Sequence, residues 1–247
     1  MNSMQMQFQE LLAQIDRSLV LSEVQLHQLH LYYENILEWN SRMNLTTITE
    51  ENEVYTKHFL DSYSIFISVP RETISTGSSI IDVGSGAGFP GIPLAIALPE
   101  TNITRMDSLG KRIRFLEDTA RKLGLKNITC IHARAEDLAR NPEHREQYDM
   151  AVARAVANLS TLAEYCIPFL RTGGKFIAYK SEKIDENDEL ETGKKAAKTL
   201  GAQLTDQRRF LLPGTEYKRS LIVFQKTKTT PKTYPRKSGT PSRNPLK

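Results

Sequence analysis

The chain reads as an α/β protein, a mostly parallel sheet with helices on both faces, preceded by N-terminal helices. Three observations predict this. From about residue 77, short β-branched runs alternate with helical stretches at the spacing of βαβ units. The first of these runs leads directly into a glycine-rich turn, IIDVGSGAGFPG over residues 80–91. Before residue 76, apolar residues recur at helical spacing.

In chain order, Phe8, Leu11, Leu12, Ile15 and Leu19 predict a first helix. Ser22 with Gln25 three residues on forms a capping box that opens a second, ending near Met43–Asn44. A third spans Val54 to about Val69 through Phe59, Tyr63 and Phe66. Strands are expected at 79–83, 103–107, 128–132, 150–153 and 175–180, with two more near 203–210 and 220–225. Helices are expected at 91–98, 111–123 and 159–170, with Gly124 and Gly173–Gly174 as stops. The organisation is then a helical segment (1–75) packed on a core (76–226), followed by a tail (227–247).

The 247 residues include 39% hydrophobic and 25% charged side chains, enough for a sizeable core. No run of 18 apolar residues exists, which excludes a membrane-spanning helix. The start, MNSMQMQFQE, lacks the basic and apolar stretches of a secretory signal. Two cysteines make neither a disulfide framework nor a zinc site, so a reducing, cytoplasmic setting is expected. The formal charge of +4 comes from the end of the chain: residues 226–247 hold seven Lys/Arg, four prolines and no acid. Such a segment is expected to stay flexible, either as a solvated tail or as an arm that finds phosphate.

The glycine loop suits two ligand classes. Gly86, Gly88 and Gly91 have the spacing G-x-G-x-x-G, with Asp107 21 residues beyond Gly86, as in dinucleotide folds. Alternatively, Asp82 stands two residues before Gly84, Gly86 and Gly88, which resembles the first motif of S-adenosylmethionine-dependent methyltransferases. A carboxylate repels a pyrophosphate but favours the ammonium and sulfonium of the methyl donor. Asp107 ends the second strand, where it can accept from vicinal ribose hydroxyls or cap the next helix. Ala133-Arg134-Ala135-Glu136-Asp137 follows the third strand, either as an adenine-facing loop or as a helix start.

The words DVGSGAGFPGIPLAI, MDSLGKRIRFLE, ARAED and ARAVANL together resemble the bacterial 16S ribosomal RNA guanine-N7 methyltransferases, the glucose-inhibited division protein B (RsmG) family. The likeness extends to WNSRMNLTTI, KHFLDSYSIF, FIAYKS and the basic tail, nearly the whole chain. Tyr179 departs from it, since relatives carry a smaller aliphatic residue there. The resemblance implies a Rossmann-like class I S-adenosylmethionine-dependent methyltransferase sheet, with S-adenosylmethionine as cofactor. It implies cofactor contacts at Gly84, Gly86, Phe89, Asp107, Ala135, Glu136 and Arg154. It also implies 16S rRNA of the small ribosomal subunit as partner, with the target guanine in a conserved loop.

The chemistry agrees with that implication. Guanine N7 already carries an in-plane lone pair, so methylation needs positioning rather than a general base. No catalytic residue is expected beyond Arg154, a candidate for the cofactor carboxylate or guanine O6. Arg154-Ala155-Val156 stands where exocyclic-amine methyltransferases carry an Asn/Asp-Pro-Pro-aromatic loop. Cys130 and Cys166 read as core rather than as nucleophiles. His27, His30, His58, His132 and His144 show no metal spacing, and no metal is expected. His58 and Asp61 read as a helical pair that satisfies itself. Trp39, Asn40 and Asn44 read as possible anchors. For RNA, Lys111 and Arg112 are the leading phosphate contacts within a run of seven Lys/Arg between Arg105 and Lys126, with Lys180 a further candidate. N7 lies on the edge that A-form RNA hides, so the target should be a loop or flipped base. Two other functions fit parts of the sequence: an NAD-dependent oxidoreductase, and a non-catalytic RNA-binding protein.

Overall fold

The computed structural model describes residues 3–154 and 157–247, apart from the side chain of Asp185. Ala155 and Val156, which belong to the loop expected after the fourth strand, lie outside the described residues.

Helix α1 (Ser3–Ile15) buries Phe8, Leu12 and Ile15. It stops before Leu19, which is buried from the turn that follows. Helix α2 (Glu23–Asn40) opens with the expected box: Gln25 N donates to Ser22 Oγ, and Ser22 N donates to Gln25 Oε1. It ends earlier than Met43 because Asn40 Oδ1 accepts from Leu45 N (2.8 Å) and Thr46 N (3.1 Å), folding the chain back. Trp39 anchors the same helix by donating to Asp118 Oδ2 at 2.8 Å. The expected third helix is composite: α3 (Glu51–Val54), a π-helical turn (Tyr55–Leu60), α4 (Asp61–Tyr63) and a 3-10 turn (Ser64–Ile67). A π turn closes i→i+5 bonds and rotates later side chains, which an i, i+4 pattern cannot reveal.

Strands β1 (Ser79–Val83), β2 (Asn102–Asp107), β3 (Ile128–His132), β4 (Tyr148–Arg154), β5 (Leu170–Ser181), β6 (Ala202–Leu211) and β7 (Lys218–Lys226) form one sheet. Their order is β3-β2-β1-β4-β5-β7-β6. The first five are parallel, and β7 runs antiparallel between β5 and β6. The crossovers are α5 (Gly91–Ala97), α6 (Gly110–Lys122), α7 (Ala135–Leu138) and α8 (Leu159–Cys166). Helix α9 (Glu189–Thr199), between β5 and β6, is not signalled by apolar periodicity. Its buried face is Leu190, Gly193, Ala196 and Ala197, mostly small residues. Strand order reverses between β1 and β4, which opens a crevice beyond their carboxyl ends.

Residues 3–75 and the sheet share one core. Phe8, Leu26, Tyr32 and Phe59 pack in the same cluster as Ile92, Phe115 and Leu221. A second cluster on the other face holds Ile81, Leu162, Phe176 and Phe224.

The tail corrects the expectation of a flexible arm. Lys226 is buried, donates to Ile167 O at 3.0 Å and pairs with Glu146 at 3.1 Å. Arg236 forks onto the buried Glu164, at 3.0 Å to Oε1 and 2.7 Å to Oε2. Arg145 reaches from the core to Thr230 O and Tyr234 O, both at 2.9 Å. A short helix, α10 (Thr240–Arg243), follows. Composition marks such a segment as unable to fold alone; here the core supplies the partners.

Candidate functional site

The loop after β1 is folded on itself. Gly84, Gly86 and Gly88 all have positive φ. At Gly88 a Cβ would come within 2.6 Å of both Ile92 Cδ1 and Tyr32 Oη, so only glycine fits beneath α2. Most loop N–H groups have acceptors inside the protein. Gly84 and Ser85 donate to Met106 O, Gly88 and Phe89 to Ser85 O, and Gly86 to Asp107 Oδ2. Gly91 N, at the start of α5, donates to Asp82 Oδ2 at 3.1 Å.

Asp82 therefore does not face a ligand, contrary to the expectation that its carboxylate would meet a sulfonium. It is fully buried beneath the loop and lines no part of the cleft. Burial pushes its pKa up to about 6, against the opposing pull of Ser85 and Arg105. Its consequence for ligand choice is still large. The helix N-terminus that a dinucleotide loop offers to pyrophosphate already carries a carboxylate here.

A cleft of about 450 Å³ runs along the loop, lined by Leu45, Thr46, Gly84, Gly86, Phe89 and Asp107, among others. Gly84, Asp107 and Ser108 also line an adjoining pocket of about 190 Å³ with Ala135, Glu136 and Tyr165. Six of the expected cofactor residues thus lie along one continuous groove. Asp107 combines its two sequence readings. It faces both cavities, and Leu109 N, Gly86 N and Arg112 Nη1 donate to it at 2.9, 3.0 and 3.3 Å. A carboxylate has roughly four acceptor positions, so one is left for a ligand. Glu136 is buried and its Oε1 already accepts from Gly239 N at 2.7 Å.

The seventh, Arg154, stands at the other end, where the cleft meets a cavity of about 690 Å³ lined by Asp61, Tyr179, Lys180 and Arg219. Its Nη1 donates to Asp61 Oδ2 at 3.0 Å, and its Cζ lies 4.7 Å from the Phe89 ring centroid. Asp61 Oδ1 accepts from Arg219 Nε at 3.0 Å. Arg154 Nη2 donates to His58 Nδ1 at 3.3 Å. A guanidinium can only donate, so His58 carries its proton on Nε2 and donates to Thr46 Oγ1 at 2.9 Å. The His58 ring stacks on Phe89 with centroids 4.5 Å apart. Burial, then the neighbouring Arg154 charge, pulls the His58 pKa down to about 3. His58 and Asp61 are therefore not a self-satisfied pair; Arg154 joins them. The family words KHFLD and ARAV carry a signal for this cluster, but Arg219 on β7 has no motif. Tyr179 donates to Ser62 O at 2.7 Å, tying β5 to this segment.

The expected RNA contacts divide. Lys111 is exposed on the first turn of α6, with no acid paired to it among the described residues. Arg112 is turned to Asp107 and lines the cleft. Lys180 is a correction: it is 12% exposed, pairs with Glu189 at 2.6 Å and donates to Ala157 O, so it is a cavity wall rather than a free cation. Within the basic run, Arg105 is fully buried, Arg121 pairs with Asp118, and Lys122 pairs with Glu38 at 2.8 Å. Arg105 is thus closed to solvent, and Arg121 and Lys122 are paired to neighbouring acids.

Cys166 is buried, and burial pushes its thiol further up; Cys130 is half-buried and accepts from Arg105 Nη2 at 3.3 Å. Neither lines the cleft. Among the described residues, no three His, Cys, Asp or Glu side chains are grouped to hold a metal, and no helix is long and apolar enough to cross a membrane.

In fold the chain is similar to a variant of the 16S rRNA (adenine(1408)-N(1))-methyltransferase from Catenulisporales acidiphilia, solved with its cosubstrate SAM. The TM-score is 0.52 at 15% identity, over 63% of this chain and 88% of that one. It is also similar to the Methanococcus jannaschii fibrillarin pre-rRNA processing protein, with a TM-score of 0.50 at 19% identity, over 63% and 69% of the two chains. In sequence it is 50% identical over 226 residues to the ribosomal RNA small subunit methyltransferase G of Lachnoclostridium phytofermentans, covering 92% of this chain and 91% of that protein. The protein of the same name from Exiguobacterium sibiricum is 46% identical over 242 residues, covering 98% and 99%. Residues 25–214 match the family model for rRNA small subunit methyltransferase G (GidB), and the chain belongs to that family.

Proposed function

We propose that this protein transfers a methyl group from S-adenosylmethionine to N7 of a guanine in a loop of 16S rRNA of the small ribosomal subunit, in the cytoplasm. The observation that carries the donor is the loop itself. Most of its N–H groups are spent within the protein and a carboxylate occupies the α5 N-terminus, so the loop suits a cationic donor and repels a pyrophosphate. This favours the methyl donor over NAD.

Gly84, Gly86, Phe89 and Asp107 would hold the middle of the donor, Ala135 and Glu136 its adenine, and Arg154 the end nearest the acceptor. When bound, the donor supplies a methyl group activated by the sulfonium. Asp107 offers its remaining acceptor position to a ribose hydroxyl. Arg154, which borders both cavities, is fixed by Asp61, His58 and Phe89, so its position is set before substrate arrives. His58 stays neutral, and its Nδ1 lone pair is engaged by Arg154, so it does not act as a base. None is needed, because guanine N7 attacks through a lone pair it already has. The chain contributes alignment, which can be worth roughly 7–11 kcal/mol at the extreme. Lys111 meets phosphate beside the flipped base.

The test uses labelled methyl donor and small subunits from cells that lack the modification. Label should enter 16S rRNA, and borohydride reduction followed by aniline should cleave at one guanine. Label without cleavage would overturn the N7 assignment. No label from donor-bound protein would overturn the RNA assignment.

A further inference from the structure

The smaller, 190 Å³ pocket is not built by the sheet alone. Val83, Met106, Ala133 and Ala135 give it an apolar floor from the strand ends, while Tyr165, Gly239 and Ser242 line it from outside. Gly239 and Ser242 come from the C-terminal segment, more than a hundred residues along the chain from Ala135. Four contacts tie that segment to the core, and a fifth closes its turn. Arg236 forks onto Glu164. Ser238 Oγ donates to Asp137 Oδ1 at 2.8 Å, and Gly239 N donates to Glu136 Oε1 at 2.7 Å. Thr161 Oγ1 donates to Pro241 O at 3.1 Å. Ser242 Oγ donates to Gly239 O at 3.1 Å, closing the turn.

We infer that residues 238–242 form the outer wall of the donor's adenine pocket, and that Gly239 and Ser242 are positioning residues for the methyl donor. The inference rests on the methyl-donor reading of the cleft. A flat heteroaromatic ring gains most when both faces leave water, and the strand ends cover only one. The strap covers the other. Gly239 acts through Glu136: its N–H occupies one carboxylate oxygen and fixes the direction of the second, the one free to accept from an exocyclic amine. Arg236 and Pro241 of the tail thus serve cofactor binding by anchoring the strap. Arg236 and Arg243 both bond within the protein, as does Lys226 at the end of β7.

Two full-length measurements test this. Ser242 is exposed at the pocket mouth, so Ser242→Phe fills the pocket without entering the core. It should raise KM for the methyl donor about tenfold, the scale of one or two lost net contacts. KM for small subunits, kcat at saturating donor and the melting temperature should stay as in the wild type. In the wild-type protein, amide hydrogen exchange in peptides covering 236–243 should slow when S-adenosylhomocysteine is added. An unchanged donor KM in Ser242→Phe would overturn the inference. So would protection of the glycine loop without protection of the strap. If S-adenosylhomocysteine protects neither region, the methyl-donor reading itself fails, and the strap's role with it.

Discussion

Two buried charge clusters lie on either side of the glycine loop, and they are built differently. Below it, Asp82 and Arg105 are both fully buried, and Asp82 Oδ1 and Arg105 Nε and Nη1 have no hydrogen-bond partner. Above it, Asp61 has both oxygens paired, to Arg154 and Arg219, and its partners reach cavities. The lower cluster fixes the loop from within and excludes anions from the α5 N-terminus. The upper one presents a guanidinium to whatever enters. Similar residue types are thus closed off within the protein in one place and open to cavities in the other, and accessibility distinguishes them.

The largest expected effect is in the lower cluster. Arg105→Met should cost about 3–5 kcal/mol in urea unfolding, because it leaves the Asp82 charge buried without its neighbour. If the loss were under about 1 kcal/mol, the two groups would not be coupled. Gly88→Ala comes next, at about 2–4 kcal/mol, since the added methyl meets Ile92 and Tyr32 at a backbone φ of +95°.

In the upper cluster the loss should appear in activity. Arg154→Lys keeps the charge but loses the fork between Asp61 and His58, and kcat should fall about 10–100-fold with a small change in melting temperature. A large stability loss with unchanged kcat per folded molecule would make the upper cluster structural as well.

The clusters should also respond to pH with opposite sign. The pKa of Asp82 is raised in the folded state, to about 6, so its contribution to stability is full below about pH 4 and is lost as pH rises through 6. The pKa of His58 is lowered, to about 3, so its contribution is present above about pH 6.5 and is lost as pH falls toward 3. Between pH 4 and 6, Asp82→Asn should therefore steepen the rise of stability with pH, and His58→Gln should flatten it. Shifts of the same sign in both variants would contradict the two environments. The smallest expected effect is at the surface. Lys111→Ala should leave melting unchanged and reduce the salt dependence of subunit binding by about one phosphate contact.

The sequence reveals what is local and leaves out what is brought together by folding. Strands β1 to β5 announce themselves as β-branched runs, and GSGAG after the first marks where a ligand crevice opens. Spacing could not show that Asp82 points under the loop rather than into the cleft. A lone period-3.6 pattern could not show the π turn that brings His58 to Phe89. Arg219 joins Asp61 across 158 residues with no signature of its own. Helix α9 is obscured by its small-residue face, and the tail by a composition that takes no account of partners elsewhere.

Equilibrium dialysis of the full-length protein against labelled S-adenosylmethionine, with NADH and S-adenosylhomocysteine as competitors, decides which ligand the glycine loop takes. Saturable uptake is expected, displaced by S-adenosylhomocysteine and not by NADH. Retention of NADH with no uptake of the methyl donor at millimolar concentration would contradict it.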